Sequence, residues 1–468
     1  MAGRYKPYPE YKDSGIEWLG NVPSHWTVSK FGFLKTVLTD FTANGSFADL
    51  KKNAVYRDEP SFARLIRLTD LRLNLENENG VWVDESAYNY LSKSALFGGE
   101  FLLANVGAHA GLFYQMPYGA GNASLAPNMF MAKFDQSRIS SKYMAFVGQS
   151  ECTSKQLFLF ATSSSAQPKL NKDDFKSVRF CFPSLAEQKK IAKFLGHEIA
   201  RIDSMIEKQQ QLIHLLKEKR QATISHAVIK GLNPNSKMHD SGIKSLGHIP
   251  AHWNLTQPRY VCTFVGGGTP AKENSAFWDG DIPWVSPKDM KLDYISSAQD
   301  KITPAAISHS AVKLIGAGAV LIVVRGMILN HSVPVALSES ELTINQDMKA
   351  LIPNAKMNGE YLLYCLKGMR NNILDLVESS AHGTKCLRTE QFDRMVLPLP
   401  PLSEQLYIIS QTKDKLRRID ELILNTELMI ELAMERRTAL ISAAVTGKID
   451  VRDWVAPKAE QTNKEVTA

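Results

Sequence analysis

The chain has 468 residues, of which 44% are hydrophobic and 22% charged, proportions that exclude wholesale disorder and collagen-like or low-complexity architectures. At roughly 150 residues per domain this length implies about three domains and more than one core. Lys plus Arg number 55 against 48 acidic residues, and the resulting net charge of +7 permits a nucleic-acid partner without requiring one.

In chain order the first feature is Asp13 to Trp26, DSGIEWLGNVPSHW, which returns 227 residues later as Asp240 to Trp253, DSGIKSLGHIPAHW, with nine of fourteen positions identical. His25 and His252 sit in Pro-x-His-Trp in both copies. Packing of a turn by His and Trp explains them better than paired general bases, so Trp26 and Trp253 are expected core anchors.

A variable body follows each motif, Thr27 to Phe182 and Asn254 to Leu399. Short apolar runs such as Phe101 to Val106, Ile282 to Val285 and Ala319 to Val324, punctuated by Gly, Pro and Asn, predict mixed, strand-rich α/β bodies. Weak correspondences between the bodies survive. Arg67-Leu-Thr-Asp70 matches the stretch ending at Asp289, and Lys169-Leu170 lines up with Cys386-Leu387. Residues 254–399 hold 14 basic and 14 acidic residues, so any DNA contact there depends on placement of charge rather than its amount.

Each body is followed by a long helical segment, beginning at Pro183 and, 217 residues later, at Pro400. Ile199, Ile202, Ile206, Gln209, Ile213 and Leu216 step by three and four residues, the seam of a coiled coil, and Leu416, Ile419, Ile423, Thr426, Ile430 and Ala433 repeat those steps. Gln209 and Thr426 are the polar members, expected to act as register devices. Ser184 and Ser403, with Glu187 and Glu404, signal the helix starts, and Gly231 and Gly447 the stops. A helix from about residue 185 to 229 would be roughly 65 Å long. Two rods with matched seams pair most simply with each other, antiparallel, with the variable bodies at opposite ends.

The resulting expectation is a mixed α/β fold: two globular domains joined by two long antiparallel coiled-coil helices in a pseudo-twofold repeat. Its boundaries are 1–182 (first motif and body), 183–230 (first long helix), 231–399 (second motif and body), 400–454 (second long helix) and 455–468 (a mobile tail rich in Ala, Lys, Glu and Thr).

Several chemistries are excluded by what the chain lacks. Val265-Gly-Gly-Gly-Thr-Pro-Ala-Lys272 has no GK[ST] and is interrupted by Pro270, so it is not a phosphate-binding P-loop. There is no Asn-Pro-Pro-aromatic methyltransferase motif, HExxH zinc site, GxSxG elbow or nuclease-like acidic cluster, so no catalytic or metal residue is expected. Cys152, Cys181, Cys262, Cys365 and Cys386 show no C-x-x-C spacing and fit free thiols in a reducing cytoplasm. The longest apolar run, Leu314 to Val324, is about half of the ~20 residues of a membrane helix and reads as a buried strand. Met1 to Glu10 has no signal-peptide core, so a soluble cytoplasmic protein without membrane association is expected.

Taken together, the repeated D-S-G-I-x-x-L-G-x-x-P-x-H-W, the G-x-T-P followed by F-W-D-G-D-I-P-W-V, the N-Q-D-M at Asn345 and the P-x-L-x-E-Q opening a long helix resemble the specificity subunit of type I restriction-modification systems. The resemblance runs from Asp13 to Trp454, although the first body lacks the G-x-T-P form. It implies a non-catalytic chain with two target recognition domains, each reading one half of an asymmetric, bipartite site in double-stranded DNA, with the helices fixing the spacer. It further implies two docked methyltransferase subunits, forming an adenine-N6 methyltransferase, and two restriction or translocase subunits that complete an ATP-dependent endonuclease. S-adenosylmethionine, ATP and Mg would belong to those partners, leaving no cofactor in this chain.

Two unlike half-sites about one helical turn apart, ~34 to 36 Å, follow from a pseudo-twofold protein with diverged bodies. Candidate DNA contacts are Lys51, Lys52, Arg57, Arg64, Arg67 and Arg72 in the first body and Lys272, Lys288, Lys291 and Arg325 in the second. A stand-alone DNA-binding regulator and a coiled-coil scaffold that binds no nucleic acid are the competing readings.

Overall fold

A computed structural model describes residues 5–73, 75–107, 109–162, 168–379 and 383–457, so residues 458–468 of the expected mobile tail lie outside the described residues. The chain forms two compact units, residues 1–208 with 429–468 and residues 209–428, and each long helix contributes one half to each unit.

The helices run from Leu185 to Lys230, 46 residues, and from Leu402 to Val445, 44 residues. Ser184 accepts from the Glu187 N–H at 3.4 Å as an N-cap, whereas Pro401 holds that place in the second copy and Ser403 lies one residue inside the helix. Both stops are left-handed glycines, Gly231 at φ 74° and Gly447 at φ 75°. In each unit the early half of one helix lies beside the late half of the other, so the pair is antiparallel. Ile199, Ile202, Ala433 and Leu440 share the core of the first unit; Ile224, Val228, Ile408 and Leu416 share that of the second. Leu216, Ile419 and Thr426 are also buried, and Ile206, Gln209, Ile213, Ile423 and Ile430 half-buried, in the order the spacing requires. Thr426 departs from its expected role. Its hydroxyl donates at 2.7 Å to Leu422 O of its own helix, so it does not reach across to set register.

The two bodies share a core arrangement of two sheets and differ in the strands at the sheet edges. In the first, Val81–Val83, Ala63–Ile66, Ala123–Leu125 and Ala95–Leu96 form one sheet, its central two strands parallel. Lys35–Asp40, Met129–Phe134, Phe101–Ala104 and Phe113–Gln115 form an antiparallel second sheet. In the second body Asp300–Ile302, Trp278–Val285 and Thr343–Ile344 make the first sheet, again with a parallel pair. Cys262–Gly266, Met348–Pro353, Val320–Val323, Val335–Ser338 and Tyr294–Ile295 make the other. Only Val320–Val323 of the run Leu314 to Val324 is strand, because left-handed Gly318, φ 86°, turns the chain just before it. Phe31, Phe134, Phe175 and Phe180 cluster in the first core, while Val, Ile and Leu fill the second. The two cores are thus filled by different side chains, which weakens the correspondence of the bodies in sequence.

The repeated motifs are fastened to the helix starts by the Glu-Gln dipeptide. Glu187 accepts from Tyr8 Oη at 2.6 Å and Trp26 Nε1 at 3.1 Å, and His25 Nε2 lies 2.9 Å from its other oxygen. In the second copy His252 Nε2 lies 2.7 Å from Glu404, and the buried Trp253 indole N–H meets no acceptor among the described residues. Gln188 accepts from the Ser140 N–H at 2.8 Å and donates to Arg138 O at 2.8 Å. Gln405 likewise accepts from the Asn358 N–H at 2.8 Å and donates to Lys356 O at 3.0 Å. The two carboxamides therefore tie each body to its helix.

Burial pushes the Cys181, Cys262 and Cys365 thiols up to about 12, and all five cysteines are free. Among the described residues no helix is long and apolar enough to cross a membrane, and no cluster of His, Cys, Asp and Glu could hold a metal ion.

Candidate DNA interface

Hydrogen bonds pair the same end of each body residue by residue. Asn105 N donates to Asn128 O at 3.1 Å in the first body, as Val324 N does to Asp347 O at 2.8 Å in the second. Leu170 N donates to Asn105 O and Leu387 N to Val324 O, both at 2.8 Å. Isolated bridges Val106 with Lys169 and Arg325 with Cys386 complete the match. Arg325 and Lys169 are therefore cations on opposite strands of one equivalent bridge.

In the first body this end opens into a cleft of about 730 Å³ that includes Thr42, Phe47, Lys51, Tyr56, Asn128 and Lys169. Phe47 is 80% exposed, Tyr56 and Lys51 are exposed, and Asn128 sits on the tip of a turn at φ 64°. Cations, aromatic faces and amides in one concave surface can meet phosphates, bases and base edges respectively. The second body has a cleft of about 560 Å³ lined by Lys272, Trp278, Trp284, Lys288, Asp300 and Asn345 among others.

The ten candidate residues divide by their surroundings. Lys51, Lys52, Lys272, Lys291 and Arg325 are exposed, and among the described residues no ion pair holds them. Arg72 is exposed beside His109, 3.5 Å away. Arg57 pairs with Asp84 at 3.0 Å and Lys288 with Asp300 at 2.8 Å, both at the surface, where exchange for a phosphate costs little.

Arg64 and Arg67 differ from the other eight candidates in that the buried carboxylate of Asp70 holds both. Arg64 is buried on its strand, bonded to Asp70 at 3.2 Å, Leu75 O at 2.8 Å and Asn77 Oδ1 at 2.8 Å. Arg67 takes both oxygens of Asp70, at 3.0 Å each, and donates to Asn79 O. Burial raises the Asp70 pKa, but hydrogen bonds from Arg67 and Asn77 and the Arg67 charge more than offset this, leaving its carboxyl at about 2. Ser286 and Asp289 hold the equivalent turn of the second body, the Ser286 N–H and hydroxyl both 2.9 Å from Asp289. The arginines thus build a turn that a serine builds in the other copy. Periodicity and charge do not distinguish such a cation from a surface one; only its partners do.

Lys169, Asn128, Thr269 and Gln346, which charge and motif alone do not single out, also lie at this end. Aligning Lys169 with Cys386 and Val106 with Arg325 carries the signal, a cation that changes strand between copies.

The family described as type I restriction modification DNA specificity domain matches residues 66–214 and 250–430. The EcoR124I/EcoR124II type I restriction enzyme specificity subunit of Escherichia coli is 37% identical over 147 residues, 31% of this chain and 36% of that protein. The MjaIX type I restriction enzyme specificity subunit of Methanocaldococcus jannaschii is 29% identical over 199 residues, 41% of this chain and 44% of that protein. The matched stretches therefore span less than half of either relative.

Among solved structures, one chain from work on complex assembly and conformational transition of the type I R-M system has a TM-score of 0.69 at 14% identity, covering 92% of this chain and 99% of that one. The HsdS subunit from Thermoanaerobacter tengcongensis has a TM-score of 0.51 at 14% identity, covering 92% and 98%. These likenesses establish the fold. With a family match over more than two thirds of its length, the chain belongs to the type I restriction modification DNA specificity family.

Proposed function

We propose that the chain is the DNA-recognition subunit of a type I restriction-modification complex and that each body reads one half of an asymmetric, bipartite site. The observation that carries this reading is the pair of equivalent ends. They share a backbone framework but present unlike side chains, Pro127-Asn128 against Gln346-Asp347 and Val106 against Arg325. Equal frameworks with unlike side chains are what two unequal half-sites require.

The long helices set the unread spacer and receive two methyltransferase subunits. Leu424 and Leu428, 66% and 52% exposed one turn apart, are among the apolar side chains available to such a partner. Two restriction or translocase subunits complete the assembly in the cytoplasm. S-adenosylmethionine, ATP and Mg are held by the partners, and this chain performs no chemistry of its own.

The test is a methylome. The chain is co-expressed with its methyltransferase subunit in a host without adenine methylation, and N6-methyladenine is mapped against a methyltransferase-only control. A split motif is expected only when the chain is present, and exchange of residues 27–182 for another such body should change one half alone. A body exchange that alters both halves, or an assembled complex that leaves no motif, overturns the reading.

A further inference from the structure

Gln346 stands at the apex of a tight turn built by its neighbours. Asn345 Oδ1 accepts from the Asp347 N–H at 3.1 Å, and the Met348 N–H closes the turn onto Asn345 O at 3.2 Å. Asn345 and Met348 are buried, so the turn is anchored at both ends while Gln346 itself is exposed. The Thr269 hydroxyl donates to Gln346 Oε1.

Thr269 belongs to a loop that is itself clamped. Trp284 Nε1 donates to Gly268 O at 2.9 Å and Trp278 Nε1 to Ala271 O at 3.1 Å. Gly268 N donates to Ile344 O at 3.0 Å, and a Cβ at Gly267 would lie 1.9 Å from Asn345 O, so only glycine lets the loop approach the turn this closely. The two tryptophans of Phe277-Trp-Asp-Gly-Asp-Ile-Pro-Trp284 thereby hold the Gly-Gly-Thr-Pro loop, and that loop holds the glutamine.

We infer that Gln346 is a specificity-determining residue of the second body, reading an adenine through its carboxamide, and that Thr269 is its positioning residue. The Thr269 hydroxyl takes one lone pair of Oε1 and holds the carboxamide in place. Oε1 keeps a second acceptor lone pair and Nε2 its donors on this exposed side chain, the pair that matches adenine N6 and N7 in the major groove. An exposed amide held without its own rotamer freedom discriminates better than a mobile one, because little entropy is lost on contact. In the first body Pro127 occupies this turn position and no Gly-Gly-Thr-Pro loop exists, so the assignment concerns one half-site only.

This inference rests on the DNA-reading function proposed above, and the same methylome separates the two. The full chain with its methyltransferase is compared as wild type, Gln346→Ala, Gln346→Glu, Thr269→Val and Thr269→Ser. Body exchange identifies which half-site belongs to the second body. Gln346→Ala is expected to raise methylation of sites with another base at a single A·T position of that half by about 10- to 100-fold relative to the intact site, the other half unchanged. Gln346→Glu, an acceptor only, should move the preference at that position toward cytosine. Thr269→Val should relax the same position less, and Thr269→Ser, which returns the hydroxyl, should restore it.

Retention of the wild-type motif by Gln346→Ala, or loosening of every position in both halves, overturns the assignment while leaving the DNA-reading function in place. A wild-type complex that leaves no split motif overturns the function, and the assignment with it.

Discussion

Arg220 of the first long helix donates through Nε to Asp420 of the second at 2.8 Å, and the repeat places the same pair in the other unit, Arg437 donating to Asp203 at 2.9 Å. The two pairs fix the antiparallel register, which the polar seam residue Thr426 does not. They differ in surroundings. Arg220 also bonds Asp293 of the second body at 3.1 Å, and Lys367 pairs with the same carboxylate. Arg437→Ala should therefore cost under ~1 kcal/mol, as exposed pairs do, and Arg220→Ala about 1–2 kcal/mol. Paired thermal unfolding at low and high salt measures the difference, and equal effects would contradict it.

Removing the carboxylate that receives each Pro-x-His-Trp motif should also be unequal. Glu187→Ala leaves the donors of Tyr8 and Trp26 buried without an acceptor and should cost about 2–4 kcal/mol. Among the described residues the second motif gives the Glu404 carboxylate only His252, and its side chain is 23% exposed against 8% for Glu187. Glu404→Ala should cost about 1 kcal/mol. Chemical denaturation followed by tryptophan fluorescence compares the two.

Acid stability of the first body should depend on Asp70. Its folded pKa of about 2 lies below the ordinary value of 3.8, so its stabilising contribution is complete above roughly pH 4 and is lost as pH falls through about 2. Asp70→Asn should destabilise by about 3 kcal/mol near neutral pH, because Arg64 and Arg67 then lack their counter-charge. It should also flatten the pH dependence between 4 and 2. Unfolding midpoints across that range test both.

Gly447 is positioned to reveal how closely the first motif packs on the end of the second helix. Its φ is 75°, and an added Cβ would lie 2.3 Å from Pro23 Cδ, while Tyr11 Oη donates to its carbonyl at 3.1 Å. Gly447→Ala should cost about 1–3 kcal/mol through strain and displacement of the paired strands Tyr11–Asp13 and Asn21–Pro23. Faster proteolysis of the first dozen residues is the readout, and an unchanged digestion pattern would count against the packing.

The basic candidates should separate by phenotype. Alanine at Lys51, Lys169, Lys272, Lys291 or Arg325 should weaken duplex binding by the assembled complex without changing its thermal stability. Removal of a cation that neutralises one phosphate should lower the salt-dependence slope by about 1. Arg64→Ala and Arg67→Ala should lower stability first. Weaker binding with unchanged stability at Arg64 would instead mark it as a DNA contact.

The repeat of whole segments and the spacing of apolar residues made two bodies and two long helices legible from the chain alone. Ile199, Ile202, Leu216, Ile419 and Ala433 are buried at their expected helical steps, because a helical face depends only on residues three and four apart. Glu187 and Gln188 were visible as a repeated dipeptide, but not as the receptor of Trp26 or the latch on Ser140, since those partners lie 161 and 48 residues away. Arg64, Arg67, Lys169 and Arg325 were equivalent cations until folding gave them neighbours. Asp70 holds the first two, and an equivalent bridge places the others at the same end of each body. A cation's role is set by the desolvation and partners it meets across the fold. Those are long-range consequences of strand pairing, and local pattern cannot encode them.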